Sequence, residues 1–310
     1  MGKILVTGGA GFIASHIVDA LIEQGHDVVV VDDLSGGKKA NINPRAKFYQ
    51  TDIRSLNLNE IFSKEKPEIV SHHAARTSVI RSLSEPADDA EVNIIGSLNL
   101  LQNCIKWRTK KIIYASSGGA IYGEPVYLPC DENHPIAPLS PYGVSKYAVE
   151  LYIRSYLNTY GLNYTILRYA NVYGPRQIST GEAAVIAKFS YQMLRGFDIS
   201  INGNGEQERD FVHVKDIVRA NILAMGQPDN RIYNIGTGKS VSINHIFLLL
   251  KSLTNYRNEP HYAAETKGEI FKTSLTAFKA KQELGWVPEI TLEDGLKITL
   301  AFYKNGEHTN

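Results

Sequence analysis

Three observations predict an α/β architecture, a doubly wound parallel sheet followed by a smaller C-terminal α/β domain. Short apolar runs alternate with longer amphipathic ones as far as Arg168. A glycine-rich turn, Thr7-Gly8-Gly9-Ala10-Gly11, ends the first apolar run and opens an amphipathic stretch. Past Arg168 the rhythm breaks. Strand–helix alternation of this kind implies right-handed crossovers and a parallel sheet covered on both faces.

The elements follow in order. Strands are read at residues 4–7, 27–31, 47–50, 69–72, 111–115 and 163–167, each short, β-rich and bounded by polar residues or glycine. Between them, residues 12–24, 56–66, 85–107 and 140–160 carry apolar side chains at helical spacing. Beyond Arg168, residues 171–181 read as a loop containing Gly174-Pro175, 182–195 as a helix, and Asn202-Gly203-Asn204-Gly205 as a turn. Helices at 214–225 and 242–253, a strand at 232–235 and closing segments at 276–284 and 292–303 complete the chain. The expected division is 1–168 and 169–310, with some later segments returning to the first domain. The tail after Lys304 is polar and expected to fray.

Composition narrows the function classes. The 310 residues are 43% hydrophobic and 21% charged, which excludes disorder, collagen and coiled coil as whole-chain descriptions. Lys+Arg number 33 against 32 Asp+Glu, so no basic excess exists for a phosphate backbone and no nucleic-acid partner is expected. Cys104 and Cys130 are too few for a disulfide framework or a four-sulfur metal site. His72, His73, His213 and His261 match no zinc spacing, so no metal is expected. Residues 28–31 are apolar but run into Asp32-Asp33, far short of a bilayer span, and the N-terminus enters a strand pattern directly. These features predict a soluble, cytoplasmic protein without a membrane partner.

The glycine turn points to a dinucleotide. Gly8 permits the tight turn, and Gly11 lets the backbone approach a pyrophosphate. Phe12 and Ile13 open a helix whose N-terminus supplies N–H donors and partial positive charge. Ala14 stands where a small residue allows close helix–strand packing. Asp32, with Asp33 beside it, ends the second strand, where a carboxylate can accept from both hydroxyls of an adenosine ribose. That charge would repel a 2′-phosphate, so NAD is expected over NADP, and Lys38 and Lys39 are read as a solvated loop. Asp52 and Ile53 follow the third strand, placed to flank an adenine, although Asp52 could equally be an N-cap. Together these features read as a Rossmann-type fold.

The chemistry is read from a second constellation. Ser116-Ser117-Gly118-Gly119 ends the fifth strand, and Ser140-Pro141-Tyr142-Gly143-Val144-Ser145-Lys146 opens a helix with proline in its first turn. Tyr142 and Lys146 are four apart and share a face. A phenol with a pKa of about 10 is a poor base at neutral pH. A lysine one turn away and an oxidised nicotinamide would both favour the phenolate. Glu150, four beyond Lys146 in the less favourable charge order, is expected in solvent.

The chain resembles the extended short-chain dehydrogenase/reductases, and within them the nucleotide-sugar epimerases of the UDP-glucose 4-epimerase type. Besides the glycine turn, the resemblance is carried by His73-Ala74-Ala75, Tyr142-Gly143-Val144-Ser145-Lys146, Leu167-Arg168-Tyr169-Ala170-Asn171-Val172-Tyr173-Gly174-Pro175-Arg176, Arg209-Asp210-Phe211-Val212-His213-Val214 and Tyr233-Asn234-Ile235-Gly236-Thr237-Gly238. It implies reversible oxidation at C4 of a UDP-linked sugar with bound NAD, Tyr142 taking the hydroxyl proton. It implies that Ala74, Ala75, Asn93 and Tyr169 line the cofactor and that Asn171 and Arg209 contact the UDP-sugar, Arg209 at phosphate. Read from the residues alone, Asn93 is equally a cap or a polar helix face, and Arg209 an ion-pair partner of Glu208 or Asp210. The family's dimers pack two helices per subunit, which here would be 85–107 and 140–160, so a homodimer through a four-helix contact is expected.

Departures from the family pattern carry information. The usual Ser or Thr four residues before Tyr122 is Gly118 here, so Ser117 is the expected hydroxyl, with Ser116 or a water as the alternative. Gly118-Gly119 offers no acid or base for the elimination that 4,6-dehydratases perform. Thr273, aligned through Gly268-Glu269-Ile270, is a small residue beside the sugar C2 and predicts acceptance of UDP-GlcNAc and UDP-GalNAc as well as UDP-Glc and UDP-Gal. Thr266 stands where relatives often carry a diphosphate-binding Arg, and Lys267 is the candidate substitute. The competing readings are a UDP-glucuronate 4-epimerase or other nucleotide-sugar oxidoreductase, and, from another class, a non-catalytic NAD-binding regulator.

Overall fold

The structure is a computed structural model and describes residues 2–179, 184–226, 229–265 and 270–305. The chain opens with β1 (Lys3–Thr7), α1 (Phe12–Glu23), β2 (Asp27–Asp32), β3 (Lys47–Gln50), α2 (Asn57–Glu65) and β4 (Ile69–His72). Two short helices follow, α3 (Val79–Ser84) and α4 (Pro86–Ala90), then a π-helical segment (Glu91–Ile95) and α5 (Gly96–Lys106). β5 (Lys111–Ser117), the single turn α6 (Gly118–Ile121), α7 (Pro141–Tyr160) and β6 (Asn163–Tyr169) end the alternating part. Next come β7 (Asn171–Tyr173), α8 (Val185–Leu194), β8 (Ser200–Asn202), β9 (Glu208–Arg209), β10 (Phe211–His213) and α9 (Val214–Gly226). β11 (Arg231–Ile235), β12 (Val241–Ser242), α10 (Ile243–Thr254), β13 (His261–Ala263), α11 (Phe278–Leu284) and α12 (Leu292–Lys304) close it.

Among the described residues the main sheet has seven strands in the order β11-β6-β5-β4-β1-β2-β3, all parallel. The doubly wound α/β sheet expected from the sequence is therefore present. The chain builds outward from β1 through β2 to β3, then crosses to β4 on the other flank. Strand order reverses between β1 and β4, and in such sheets the crevice outside their C-terminal ends is where a dinucleotide binds.

The alternation of side chains along the strands supplies two cores. Leu5, Val29, Val31, Val70 and Ile112 point to one face and pack on Phe62 of α2, Leu100 of α5 and Ile153 of α7. Ile4, Val6, Val28 and Val30 point the other way, onto Ile17, Val18 and Leu21 of α1. Burial on both faces is why these strands read as near-continuous apolar runs. A third core, built on Phe189 of α8, Phe247 of α10 and Leu296 of α12, belongs to the later half. No helix among the described residues is long and apolar enough to cross a membrane.

The differences from the sequence expectation are local. The helix expected over 85–107 is divided by the π-helical segment, a one-residue insertion that periodicity cannot reveal. Helix α3 leaves no mark on the apolar pattern because it is one short piece whose Val79, Ile80 and Leu83 are exposed, giving no core-facing stripe. Residues 171–173, expected as loop, form β7 and pair with β10, an element too short to show alternation. The helix expected over 182–195 is seen as Val185–Leu194, its expected start lying outside the described residues.

Candidate active site

The turn after β1 is forced by contacts on both sides. Gly8 has φ +71°, and a Cβ there would sit 2.8 Å from the Ala74 amide nitrogen. Two independent constraints, the left-handed backbone and the close approach of the β4 loop, thus require glycine. At Gly9 a Cβ would meet Val30 Cγ1 at 2.7 Å, so Gly9 shares with the buried Ala14 the close packing that the sequence reading assigned to Ala14 alone. Gly11 is the N-cap residue of α1, and no side chain among the described residues caps it. The first turn, opened by Phe12 and Ile13, carries no acidic residue. Its N–H donors and positive dipole end therefore suit an anion, and a Cβ at Gly11 would intrude on the turn, 3.0 Å from the Gly8 carbonyl oxygen.

Asp32 stands at the opposite wall of this crevice. Its Oδ2 accepts the Ala10 N–H at 3.0 Å and its Oδ1 the Leu34 N–H at 2.8 Å. Each oxygen keeps a lone pair for a ribose hydroxyl. Burial raises its pKa and the two N–H bonds oppose that rise. Asp33 is exposed and accepts Ser35 N–H and Oγ–H at 2.9 and 2.6 Å, closing a turn. Asp52 grips Arg54 through Nε at 3.0 Å and Nη2 at 2.6 Å, and the N-cap of α2 is Leu56, so the N-cap alternative for Asp52 does not hold. Ile53 is buried under Gly96, where a Cβ would meet its Cδ1 at 2.7 Å.

The loop after β4 is fastened at several points. Thr7 Oγ1 accepts the N–H groups of His73 and Ala74, both at 3.1 Å, which sets Ala74 beside Gly8, with Ala75 next in the chain. Asn93 is 2% exposed within the π-helical segment. Its Oδ1 accepts Arg76 N–H at 2.8 Å, and its Nδ2 donates to Arg76 O, Asp89 Oδ2 and Ser145 Oγ at 3.0 to 3.2 Å. Asn93 thus braces the loop and ties it to α7, a role neither sequence alternative contained. Tyr169 stacks on His73, and its hydroxyl meets Asn221 Nδ2 at 2.8 Å and His73 Nε2 at 3.2 Å.

Serine, tyrosine and lysine converge at the end of β5. Ser140 caps α7 by accepting Gly143 N–H at 3.2 Å, with Pro141 in the first turn. A Cβ at Gly143 would lie 2.5 Å from Ala120 O, so only glycine lets α7 press against α6. That contact brings Tyr142 to the end of β5, where the nearby Ser117 hydroxyl favours its phenolate. Ser116 turns the other way, 3% exposed, and donates to Glu150 Oε1 at 2.5 Å. Of the two serines, Ser117 is the one that favours the phenolate, Ser116 being committed to Glu150.

Lys146 is 4% exposed; its Nζ donates to Ala115 O at 3.0 Å and lies 6.0 Å from the Tyr142 ring centroid. Burial draws the ammonium down to about 8, against the pull of Asp89 and Glu150. Burial pushes the Tyr142 phenol up to about 12, with the Ser117 hydroxyl lowering it and Asp89 raising it. In the protein alone the phenol is therefore protonated at neutral pH, and its activation requires an added positive charge. The expectation of a solvated Glu150 is overturned: it is 1% exposed and accepts Arg168 Nη2 at 2.6 Å and Nε at 3.0 Å. The helical i,i+4 rule sees only partners on α7, whereas Arg168 arrives from β6.

The later half supplies the other wall. Asn171 Oδ1 would lie 3.6 Å from a Cβ at Gly119, which places it over the turn that follows Ser117. Arg209 Nη1 donates to Glu208 O at 2.9 Å and Phe271 O at 3.2 Å. Glu208 pairs with Lys272 at 2.9 Å, and Thr273, buried, donates its N–H to Glu208 O at 3.2 Å. Thr266, Lys267, Gly268 and Glu269 lie outside the described residues. Two residues escaped the sequence reading. Asp210 gathers Thr237, Gly238 and Leu275 on its carboxylate, and Leu275 packs so closely on Gly118 that a Cβ there would meet its Cδ1 at 2.4 Å. No local spacing signals either contact, because Asp210 and Leu275 are 65 residues apart.

Comparison with known proteins agrees with this geometry. Residues 4–236 match the model of the NAD dependent epimerase/dehydratase family. A putative UDP-glucose 4-epimerase of Methanocaldococcus jannaschii is 49% identical over 99% of this chain and 100% of its own. The crystal structure of UDP-glucose 4-epimerase from Thermotoga maritima, with UDP-glucose, superposes with a TM-score of 0.97 at 51% identity, covering 99% of this chain and 100% of that one. A UDP-N-acetylglucosamine 4-epimerase from Methanobrevibacter ruminantium, in complex with UDP-N-acetylmuramic acid, gives 0.93 at 36% identity, covering 98% and 99%. A glycine turn at a strand-order reversal, an acid at the end of β2 and a serine–tyrosine–lysine cluster are what such a family needs, and the match extends over most of the chain: it belongs to the NAD dependent epimerase/dehydratase family.

Proposed function

We propose that this protein is an NAD-dependent UDP-sugar 4-epimerase, interconverting UDP-Glc with UDP-Gal and UDP-GlcNAc with UDP-GalNAc. The observation that carries the reading is the gathering of Tyr142, Lys146 and Ser117 at the end of β5, with Lys146 Nζ 6.0 Å from the Tyr142 ring centroid and bound to Ala115 O at 3.0 Å. Tyr142 takes the C4 hydroxyl proton and Ser117 shares its path. Lys146 holds the phenolate by its charge. When bound, NAD supplies a hydride acceptor at C4 and an added positive charge beside the phenol. Gly8, Gly11, Phe12 and Ile13 would receive its pyrophosphate, Asp32 its ribose hydroxyls, and Ile53, Ala74 and Ala75 its apolar surfaces. Asn171 and Arg209 would receive the UDP-sugar, with Thr273 leaving room at C2. The 4-keto sugar would then turn while its UDP stays anchored, the hydride taken from C4 would return to the opposite face, and the same phenol would give back its proton, so that the cofactor is unchanged overall.

Gly118 and Gly119 argue against elimination, since neither offers a group to take the C5 proton. The division 1–168 for NAD and 169–310 for the UDP-sugar is part of the proposal, with β11 and α9 assigned back to the first domain because they pack on its sheet and on α1. The experiment is a panel: NAD-bound protein is given UDP-Gal, UDP-GlcNAc and UDP-glucuronate in turn. UDP-Gal and UDP-GlcNAc should yield their C4 epimers. Inertness toward UDP-GlcNAc alone removes the broad-specificity part, and turnover of UDP-glucuronate alone replaces the reading with the uronate enzyme.

The assembly belongs to the same proposal. Val144, Leu151 and Tyr152 form an exposed apolar stripe at i, i+7 and i+8 on α7, and Ile80 and Leu83 of the adjoining α3 extend it. A homodimer burying this stripe should appear as twice the chain mass by light scattering, and a monomer at working concentration would refute it. A cytoplasmic setting is inferred with it, in keeping with the free, buried thiols of Cys104 and Cys130.

A further inference from the structure

The buried pair of Glu150 and Arg168 lies directly behind the reacting groups. Glu150 is one helical turn beyond Lys146 on α7, and its carboxylate accepts Ser116 Oγ at 2.5 Å besides the two nitrogens of Arg168. Arg168, 4% exposed on β6, also donates Nη1 to the Tyr122 hydroxyl at 2.9 Å, and that hydroxyl donates to Asn234 Oδ1 on β11 at 2.7 Å. One polar chain thus crosses from the helix bearing Tyr142 and Lys146, beneath β5 and β6, to β11. It grips β5 at Ser116, between Ser117 and the Ala115 carbonyl that holds Lys146 Nζ.

Stability gives no reason to keep ions here. Well-packed apolar replacements of a buried pair are often neutral or stabilising, whereas removing one partner is strongly destabilising. Electrostatics does give a reason. The groups facing Lys146 are Asp89 of α4, Tyr142 and Glu150 of its own helix, His72 of β4 and His73 just after it, and Tyr114 of β5. Burial leaves both imidazoles neutral. Only the two carboxylates favour the ammonium, and Asp89 disfavours the phenolate of Tyr142 as well. Glu150 supports the ammonium without that opposing effect.

We propose that Glu150, held in place by Arg168, is a positioning residue for the reaction: it keeps Lys146 charged and fixes the end of β5 so that Ser117 meets Tyr142. This rests on Tyr142 as the proton acceptor, and the test is chosen to be independent of the sugar. In the NAD-bound protein, tyrosinate absorbance is titrated with and without Tyr142→Phe, and the difference isolates one phenol. The same pair of titrations is made in the double variant E150Q/R168Q, which leaves no uncompensated buried charge. The Tyr142 midpoint should rise by about one pH unit. With UDP-Gal, kcat at neutral pH should fall about tenfold at unchanged KM. E150D, which retains the charge, should restore the midpoint; should the double variant not fold, E150Q reads the same quantity. An unmoved midpoint overturns the proposal even where the melting temperature drops, because a purely structural pair would change only the latter. A raised midpoint in a protein inert toward every UDP-sugar upholds the positioning role and overturns the epimerase reading instead.

Discussion

Tyr142→Phe should leave NAD bound and lower UDP-Gal turnover by about a thousandfold or more, the upper range of what a positioned acid–base group contributes. The substitution removes one oxygen and retains the ring that packs beside Lys146. The dinucleotide crevice is built from β1, β2 and the β4 loop, none of which leans on the phenol hydroxyl. Binding and chemistry should therefore separate cleanly in this variant. The pKa balance shows why the loss must be large. Burial, with Asp89 adding to it and the Ser117 hydroxyl opposing it, holds the phenol at about 12, so almost no phenolate exists in the protein by itself at neutral pH. The Lys146 ammonium is drawn down to about 8 and still charged there, which supplies part of the correction, and an oxidised nicotinamide supplies the rest. Turnover in the wild type should accordingly rise with pH on the acid side as the phenol ionises. It should fall on the alkaline side as Lys146 loses its proton. The variant, measured for bound nicotinamide by absorbance and for UDP-Glc by chromatography, should have neither limb. Wild-type turnover from the Phe variant would show that some other group takes the proton.

What the sequence disclosed depended on the range of each interaction. The glycine turn, Asp32 and the Tyr142–Lys146 pair are short-range patterns whose spacing follows from strand, turn and helix geometry, so they were readable without a structure. The choice between Ser116 and Ser117 was not, because strand alternation sends the two to opposite sides and only the placement of α7 decides which side holds the phenol. Glu150 was misplaced for a related reason: its partner Arg168 is 18 residues away on a different element. Asn93 was legible as polar and helical, but its bonds to Arg76 depend on a π-helical insertion that leaves no mark on apolar periodicity. The sheet itself was legible almost entirely, since burial on both faces writes itself into the strands as apolar runs.

Asp210→Ala should be the most destabilising single change near the site, lowering the unfolding free energy by on the order of 3–5 kcal/mol. The Asp210 carboxylate is 1% exposed and accepts Thr237 Oγ–H at 2.6 Å, Thr237 N–H at 3.0 Å, and the N–H groups of Gly238 and Leu275, each at 3.1 Å. Gly236 passes so close that a Cβ would lie 2.7 Å from Oδ2. Alanine would leave three backbone donors without an acceptor, that of Leu275 buried and those of Thr237 and Gly238 part-buried, each at a cost of up to about 1–3 kcal/mol. Their sum overstates the effect, because removing the carboxylate also relieves the desolvation that raises its pKa. Asp210→Asn should lose less, since one amide oxygen remains, but its NH2 would face N–H groups that need an acceptor. The functional consequence follows from what those donors position. Leu275 packs on Gly118 beside Ser117, and Arg209 and Thr273 flank Glu208 next to Asp210. Loosening this knot should raise KM for UDP-Gal about tenfold in the folded fraction, the order expected when one buried polar contact is lost, with kcat less affected because Tyr142, Lys146 and Ser117 hang on β5 and α7 instead. Urea unfolding and steady-state kinetics on the same preparations separate the two effects. A variant within about 1 kcal/mol of the wild type would mean that the segments at Thr237-Gly238 and Leu275 hold together without their common acceptor, and that the wall opposite the dinucleotide is organised by its apolar packing.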